Sequence, residues 1–296
     1  MLLRCTPDSQ YMWNCQERGS REAQTRGRNH PGQVLIALRF CAEYCLAPAA
    51  PDYGNWVGNR LVYFPVLIGL VFVVLGVWSR LLIIPALILI GIGGYFAYAR
   101  YLFSPQGSDV QGAIWNTVLE RLDWNGQGCA LDIGCGNGAL TIRLAKKYPN
   151  AKVVGIDQWG KQWEYAKATC ERNADIEGVS SQTTFQQASA ASLPFPSESF
   201  DVVVSNLTFH EVRDVHDKRR LVQEALRVLR KGGVFSIQDL FQIRQAFGDV
   251  NELVETMRSW GVGSVEFVDT SKARYIPTAL KLPFMVGTIG LLKGKK

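Results

Sequence analysis

The chain has 296 residues, of which 47% are hydrophobic and 20% charged, enough for one sizeable domain plus an appendage. Its net charge of +6 is unevenly placed: residues 1–100 hold nine Arg, no Lys and five acids. Residues 101–296 are nearly neutral and lack the basic stripe of a nucleic-acid binder, so no nucleic-acid partner is expected.

Residues 1–32 are polar, Arg-rich and aperiodic, a composition that reads as disorder, and they lack the three-part pattern of a signal peptide. The stretch 33–47 has the apolar spacing of a short amphipathic helix, to lie on a membrane interface or on the domain. Cys41 and Cys45 are four apart, but only His30 is nearby, which is too few ligands for a metal. The seven cysteines form no C-x-x-C pair and read as free thiols of a reducing compartment; no metal site is expected. Residues 1–54 are thus taken as a polar N-terminal segment.

Two uncharged apolar runs follow, Leu61–Trp78 and Leu81–Ala99, separated by Ser79 and Arg80. As helices, each reaches roughly 27–28 Å, close to the hydrocarbon thickness of a bilayer. Tyr63, Trp78, Tyr95, Tyr98 and Tyr101 lie towards their ends, as interfacial aromatics do. Residues 55–100 therefore read as an all-α, two-span transmembrane hairpin, with a buried helical hairpin of a soluble protein as the alternative. Arg39, Arg60 and Arg100 at the outer ends, against Arg80 in the turn, put both termini in the cytoplasm.

Residues 101–112, with Pro105, Gly107 and Gly112, read as linker, and 113–122 as an amphipathic helix. The run Leu131-Asp132-Ile133-Gly134-Cys135-Gly136-Asn137-Gly138 then carries the strongest signal of the chain. A short strand ends in an acid, glycines follow at alternate positions, and a helix begins. Such a loop lets the backbone turn sharply beside a ligand, and the helix N-terminus offers free N–H groups. It suits a nucleoside with a polar tail. The next apolar run, Lys152–Asp157, ends in a carboxylate placed to accept from two ribose hydroxyls. Strands are predicted at 129–133, 152–156, 183–187, 200–205 and 233–238, with helices at 138–147, 160–174, 214–230 and 248–260. This alternation argues an α/β fold with a mostly parallel sheet. Two closing strands are predicted at 265–268 and 285–292.

These motifs resemble the class I S-adenosylmethionine-dependent methyltransferases over about residues 110–296. LDIGCGNG matches the family's first motif, VVGID its second, LPFPSESFDVVVSN the approach to strand four, and ALRVLRKGGVFSIQDL the helix and strand five. The resemblance is to the small-molecule and lipid-quinone type; the N-P-P-Y signature of adenine-DNA enzymes is absent. It implies a Rossmann-like sheet with an antiparallel final strand over 113–296, and S-adenosyl-L-methionine as cofactor. It implies that Asp132 orients the glycine loop or, through water, the donor's amine. Gly134, Gly136 and Gly138 pass under the donor, and Asp157 holds the ribose. Trp159 lies against adenine or packs on the following helix. Where the family often has G-D-A, this chain has Ala188, Ser189 and Ala190, so a neutral hydroxyl stands in for the acid that accepts from the adenine amine.

The acceptor end falls at the tips of strands four and five. His210 is placed there as a base or as a structural residue, with Glu211 orienting it or binding substrate, and Asn206 facing donor or acceptor. Gln238 and Asp239 end strand five beside them. The reading is a membrane-anchored, multi-pass methyltransferase whose catalytic domain is cytoplasmic and whose acceptor is a small, lipophilic molecule. The alternatives are a catalytically silent donor-binding sensor or scaffold, and a methyltransferase of a soluble metabolite.

Overall fold

The computed structural model describes residues 50–160 and 167–296. The helix expected over 33–47 and the front of the one expected over 160–174 lie outside these residues.

Two helices open the described chain, α1 (Asn59–Leu75) and α2 (Ile83–Phe103), joined by a tight turn and a single 3-10 turn at Arg80–Leu82. They pack on each other through small residues. A Cβ on Gly93 would meet Val66 Cγ2 at 2.4 Å and the Val62 carbonyl at 2.8 Å; one on Gly69 would meet Ile90 at 2.8 Å. Among the described residues, one helix is long and apolar enough to cross a membrane: Arg80–Phe103, 3-10 turn included. α1, with 17 residues, is shorter than the expected span, and Pro65 lies in its interior, beyond the first turn. The outward faces of both helices are apolar. Among the described residues, the exposed large hydrophobic side chains all lie between Leu61 and Tyr101, except Phe284.

The sheet domain starts with α3 (Val110–Glu120), capped by Asp109, whose side chain accepts from Gly112 N at 3.3 Å. Then follow β1 (Gly128–Ile133), α4 (Ala139–Lys147), β2 (Ala151–Asp157), α5 (Lys167–Ile176), β3 (Thr183–Gln187) and β4 (Phe200–Asn206). After these come α6 (Arg219–Val228), β5 (Leu229–Asp239), a one-turn α7 (Arg244–Phe247), α8 (Val250–Ser259), β6 (Ser264–Val268) and β7 (Gly290–Lys295). The seven strands form one sheet in the order β3-β2-β1-β4-β5-β7-β6. β7 runs antiparallel to both its neighbours and the other pairings are parallel. This is the Rossmann-like methyltransferase sheet that the motif order implies.

Alternation along the strands builds two cores. Leu131, Ile133, Val203, Phe235 and Ile237 face α6 and α8, where Leu221, Val222, Leu253 and Met257 meet them. Ala130, Val153, Val202, Val204 and Val234 face α3, α4 and α5, where Val118, Ile142, Leu144 and Cys170 lie. A third cluster ties the outer ends of α1 and α2 to the domain: Val57, Ala99, Leu102 and Phe103 pack with Ile114, Leu240, Ile276 and Ile289.

Several boundaries differ from the sequence reading: the helix expected over 214–230 is Arg219–Val228, the strand expected over 233–238 starts at Leu229, and three further differences bear on the site. Residues 50–57, assigned in part to the polar N-terminal segment, pack on the domain: Asp52 O accepts from the Asn137 and Asn173 amides at 3.0 and 2.8 Å. α2 runs on to Phe103 and α3 starts at Val110, so the linker is 104–109. Residues 285–289 form no strand. They close a turn in which Val286 N donates to Leu280 O at 3.2 Å, and their apolar side chains enter the third cluster instead.

Candidate active site

The strand order reverses between β1 and β4, and the carboxyl ends of strands flanking such a point leave a crevice. The glycine loop fills one side of it. Gly134, Gly136 and Gly138 all have positive φ, at 78°, 55° and 82°, a region costly for other residues. At Gly134 a Cβ would also strike the Thr208 side chain at 2.0 Å. Gly134 N and Cys135 N donate to Ile156 O at 2.8 and 2.9 Å, which fastens the loop to β2.

Asp157, at the tip of β2, holds the loop as well. Its Oδ2 accepts from Gly136 N at 2.9 Å and its Oδ1 from Trp159 N at 2.9 Å. A carboxylate has about four acceptor sites, so two remain for a ligand's hydroxyls. Asp132 is buried. Its Oδ2 accepts from Thr141 Oγ at 2.6 Å, while Oδ1 has no partner. It therefore does not bond the loop backbone. Burial, opposed by the Thr141 hydrogen bond and reinforced by the charge of Asp157, pushes its carboxyl up to about 7.

The acceptor end is built by β4, β5 and the turn after β4. Phe209 is buried under the turn, and its N–H donates to Asp239 Oδ2 at 2.7 Å. This places His210 Nδ1 2.6 Å from Asp239 Oδ1, with His210 Nε2 3.4 Å from Glu211 Oε1. Burial lowers the affinity of the imidazole for a proton. The charge and hydrogen bond of Asp239, and then Glu211, outweigh burial and raise its pKa to about 10. The contact with Asp239 thus favours the charged form of the ring, a role that differs from the base or structural residue expected from the sequence. Asp239, fully buried at the tip of β5, is the partner that spacing did not reveal. It lies 29 residues from His210, and only the pairing of β4 with β5 brings the two together.

One cavity of about 840 Å³ joins both ends. Asp132, Gly134, Gly136, Asp157, Ala190, Asn206, His210 and Glu211 line it together. Three expected site residues do not. Gly138 caps the start of α4. Trp159 lies behind the loop, its Nε1 donating to Gly136 O at 2.9 Å, so it packs and does not face an adenine. The Ser189 hydroxyl accepts from Ala191 N at 3.1 Å within a local turn, while its neighbours Ala188 and Ala190 reach the cavity wall. Composition had not pointed to Asn137, whose buried Oδ1 is unpartnered, or to the strap residues Tyr53 and Trp56, which also line the cavity. Among the described residues no cluster suits a metal ion.

Residues 131–237 match the family model described as a methyltransferase domain. The 27-O-demethylrifamycin SV methyltransferase of Amycolatopsis mediterranei is 35% identical over 138 residues, 47% of this chain and 47% of that one. The malonyl-(acyl-carrier protein) O-methyltransferase of Hahella chejuensis is 35% identical over 133 residues, 42% of this chain and 44% of that one. The chain thus spans just under half the length of these curated relatives. A solved structure of geranyl diphosphate C-methyltransferase from Streptomyces coelicolor aligns at a TM-score of 0.48 and 15% identity, over 66% of this chain and 85% of that one. The family match supports a methyltransferase domain over residues 131–237, with S-adenosylmethionine as its cofactor.

The residues present fit that cofactor. The unpartnered Oδ1 atoms of Asp132, Asn137 and Asn206 are buried acceptors on residues of the cavity wall. A donor that carries an ammonium group, an adenine amine and ribose hydroxyls supplies the hydrogens such atoms lack. When bound, S-adenosylmethionine contributes a methyl group already activated by its sulfonium.

Proposed function

We propose that this chain is a membrane-anchored methyltransferase that transfers a methyl group from S-adenosylmethionine to a small, lipophilic acceptor. One observation carries the reading: a single cavity joins the glycine loop and Asp157 to His210, Glu211 and apolar side chains. Methyl transfer asks the protein mainly to hold two reactants in line and to exclude water. Asp157 and the loop hold the donor, and Asp52 at the start of the strap is tied to the loop through Asn137.

The state of His210 shapes the acceptor half of the reading. An imidazolium donates hydrogen bonds and stabilises negative charge. His210 therefore holds an acidic acceptor, an enol or phenol, in its anionic form with the reacting oxygen or its conjugated carbon towards the donor. Asp239 fixes the ring through Nδ1, and Glu211 beside Nε2 takes the proton that the acceptor releases.

The anchor rests on the apolar outer faces of α1 and α2, whose exposed Leu67, Leu70, Leu87 and Ile88 have no cover within the described chain. Both outer ends of the pair pack on the sheet domain, which supports an anchor with that domain on one side, and the arginines at the outer ends favour the cytoplasmic side.

The test is donor-dependent methylation. Purified full-length protein and S-adenosylmethionine are incubated with total lipid extract and, separately, with the water-soluble fraction. A product heavier by one methylene in the lipid fraction is the expected result. A product in the soluble fraction alone rejects the lipophilic acceptor, and no product in either leaves a donor-binding protein without turnover.

A further inference from the structure

The cavity is chemically graded. Beyond the donor end, one rim is polar, formed by Glu211, Arg213 and Asp214, all exposed. Another part of the lining is apolar and is built partly by the helix pair: Trp56, Leu61 and Phe96 contribute to it with Phe284 and Met285. Leu61 and Phe284 line the cavity and are also solvent-exposed, at 47% and 66%. The cavity therefore has an apolar mouth as well as a polar one.

That mouth is continuous with the uncovered face of the helix pair. Phe284 is the one exposed large apolar side chain among the described residues outside 61–101. It packs edge-on to Tyr95 of α2 at 6.2 Å. Tyr95 in turn donates its hydroxyl to Ala279 O at 2.9 Å, which fixes the loop that carries Phe284 against the helix. Phe284 thus carries the apolar surface of the helix pair up to the lip of the cavity, and contiguous apolar surface marks a site that meets hydrocarbon or an apolar partner.

We propose that this apolar arm is a tail site: it takes the hydrocarbon chain of an amphiphilic acceptor, which enters from the bilayer between Leu61 and Phe284 and places its ionisable head at His210. Leu61, Phe96 and Phe284 are then specificity-determining residues that select for a tail. The proposal rests on the methyltransferase reading for the role of the head, but the tail site is measurable without turnover.

The probe is para-dodecylphenol with a diazirine at the end of its chain, photolysed with the full-length protein in dioleoylphosphatidylcholine nanodiscs; adducts are located by mass spectrometry. Adducts are expected on Trp56, Phe96 and residues 284–286, displaced by excess para-dodecylphenol and not by phenol. Phe284→Asp, at an exposed rim position that tolerates charge, should cut the Trp56 adduct several-fold. Calorimetric S-adenosylmethionine binding on the same preparation shows that the variant is folded. Adducts confined to outward residues such as Leu67 and Ile88, or equal displacement by phenol, overturn the tail site. Labelling of Trp56 in a protein that binds no S-adenosylmethionine would sustain the tail site and reject the methyltransferase reading.

Discussion

At the scale of single residues, the two carboxylates of the donor end do different work. Asp157 is a charged acceptor with one site spent on the loop at Gly136 and one on Trp159 N, so Asp157→Ala should weaken S-adenosylmethionine binding by roughly 1.5–3 kcal/mol and also loosen the loop. Calorimetry together with melting reads both effects. Asp132 is a buried acid whose carboxyl is pushed by burial up to about 7 in the folded state, against roughly 3.9 for an exposed Asp. Between those values the folded state binds more protons than the unfolded one, so this residue makes stability fall as pH rises through that window. Asp132→Asn should therefore be more stable than wild type at pH 8, by up to roughly 4 kcal/mol, and equal to it near pH 4. Donor binding has the opposite sign: a cationic ligand favours the carboxylate, so wild-type affinity should drop as pH falls below about 7 and that slope should vanish in Asp132→Asn. For His210 the raised value means that its ion pair with Asp239 stabilises the fold fully below about 6.5, and that this contribution is lost as pH climbs towards 10. If the imidazolium holds the acceptor, His210→Ala should cut turnover by roughly 10²–10³-fold with donor affinity little changed. The glycines, Asp132, Asp157 and the position of His210 were legible in the sequence because each sits at a fixed place on a strand tip. The charge on His210 was not, because Asp239 reaches it only through a sheet pairing across 29 residues.

At the scale of elements, five strands and their helices were readable from alternation and from glycine punctuation, since each has one face on a core and ends where the backbone must turn. The tail misled because apolar composition is shared by strands and by chain packed under a helix. Residues 285–289 took the second course, held by the Leu280–Gly287 turn. The helix pair offers an internal control on whether its contact is specific. Gly93 faces Val62 and Val66, while a Cβ on Gly94 next to it would meet nothing within 4 Å. Gly93→Ala should force the helices apart and cost about 1–3 kcal/mol, the usual range for overpacking. Gly94→Ala should be neutral or stabilising by up to about 1 kcal/mol, because alanine is the better helix former. Thermal melting of both variants in detergent separates these outcomes; equal melting temperatures would show that α1 and α2 do not depend on close approach at Gly93.

At the scale of the whole molecule, one part needs water and the other avoids it. The catalytic region buries its apolar side chains in two cores, whereas α1 and α2 expose theirs, with Leu67 at 60%, Leu87 at 64% and Ile88 at 58%. Contiguous apolar surface of that extent marks either a membrane or a protein partner. The two differ in how they resist alkaline carbonate, which strips proteins held by other proteins and leaves those that bury helices in hydrocarbon. Full-length protein should stay in the carbonate pellet. Lysine at Leu70, Leu87 and Ile88 together should release it, since each charge at the centre of a span costs about 2.5–3.5 kcal/mol on insertion scales. These positions lie away from the cavity wall, so S-adenosylmethionine affinity should survive the triple change. Wild type found in the supernatant would mean that the helix pair meets a protein and would remove the anchor. Release of the triple variant with donor binding intact would show that the hairpin holds the membrane and that the catalytic region keeps its donor site without it.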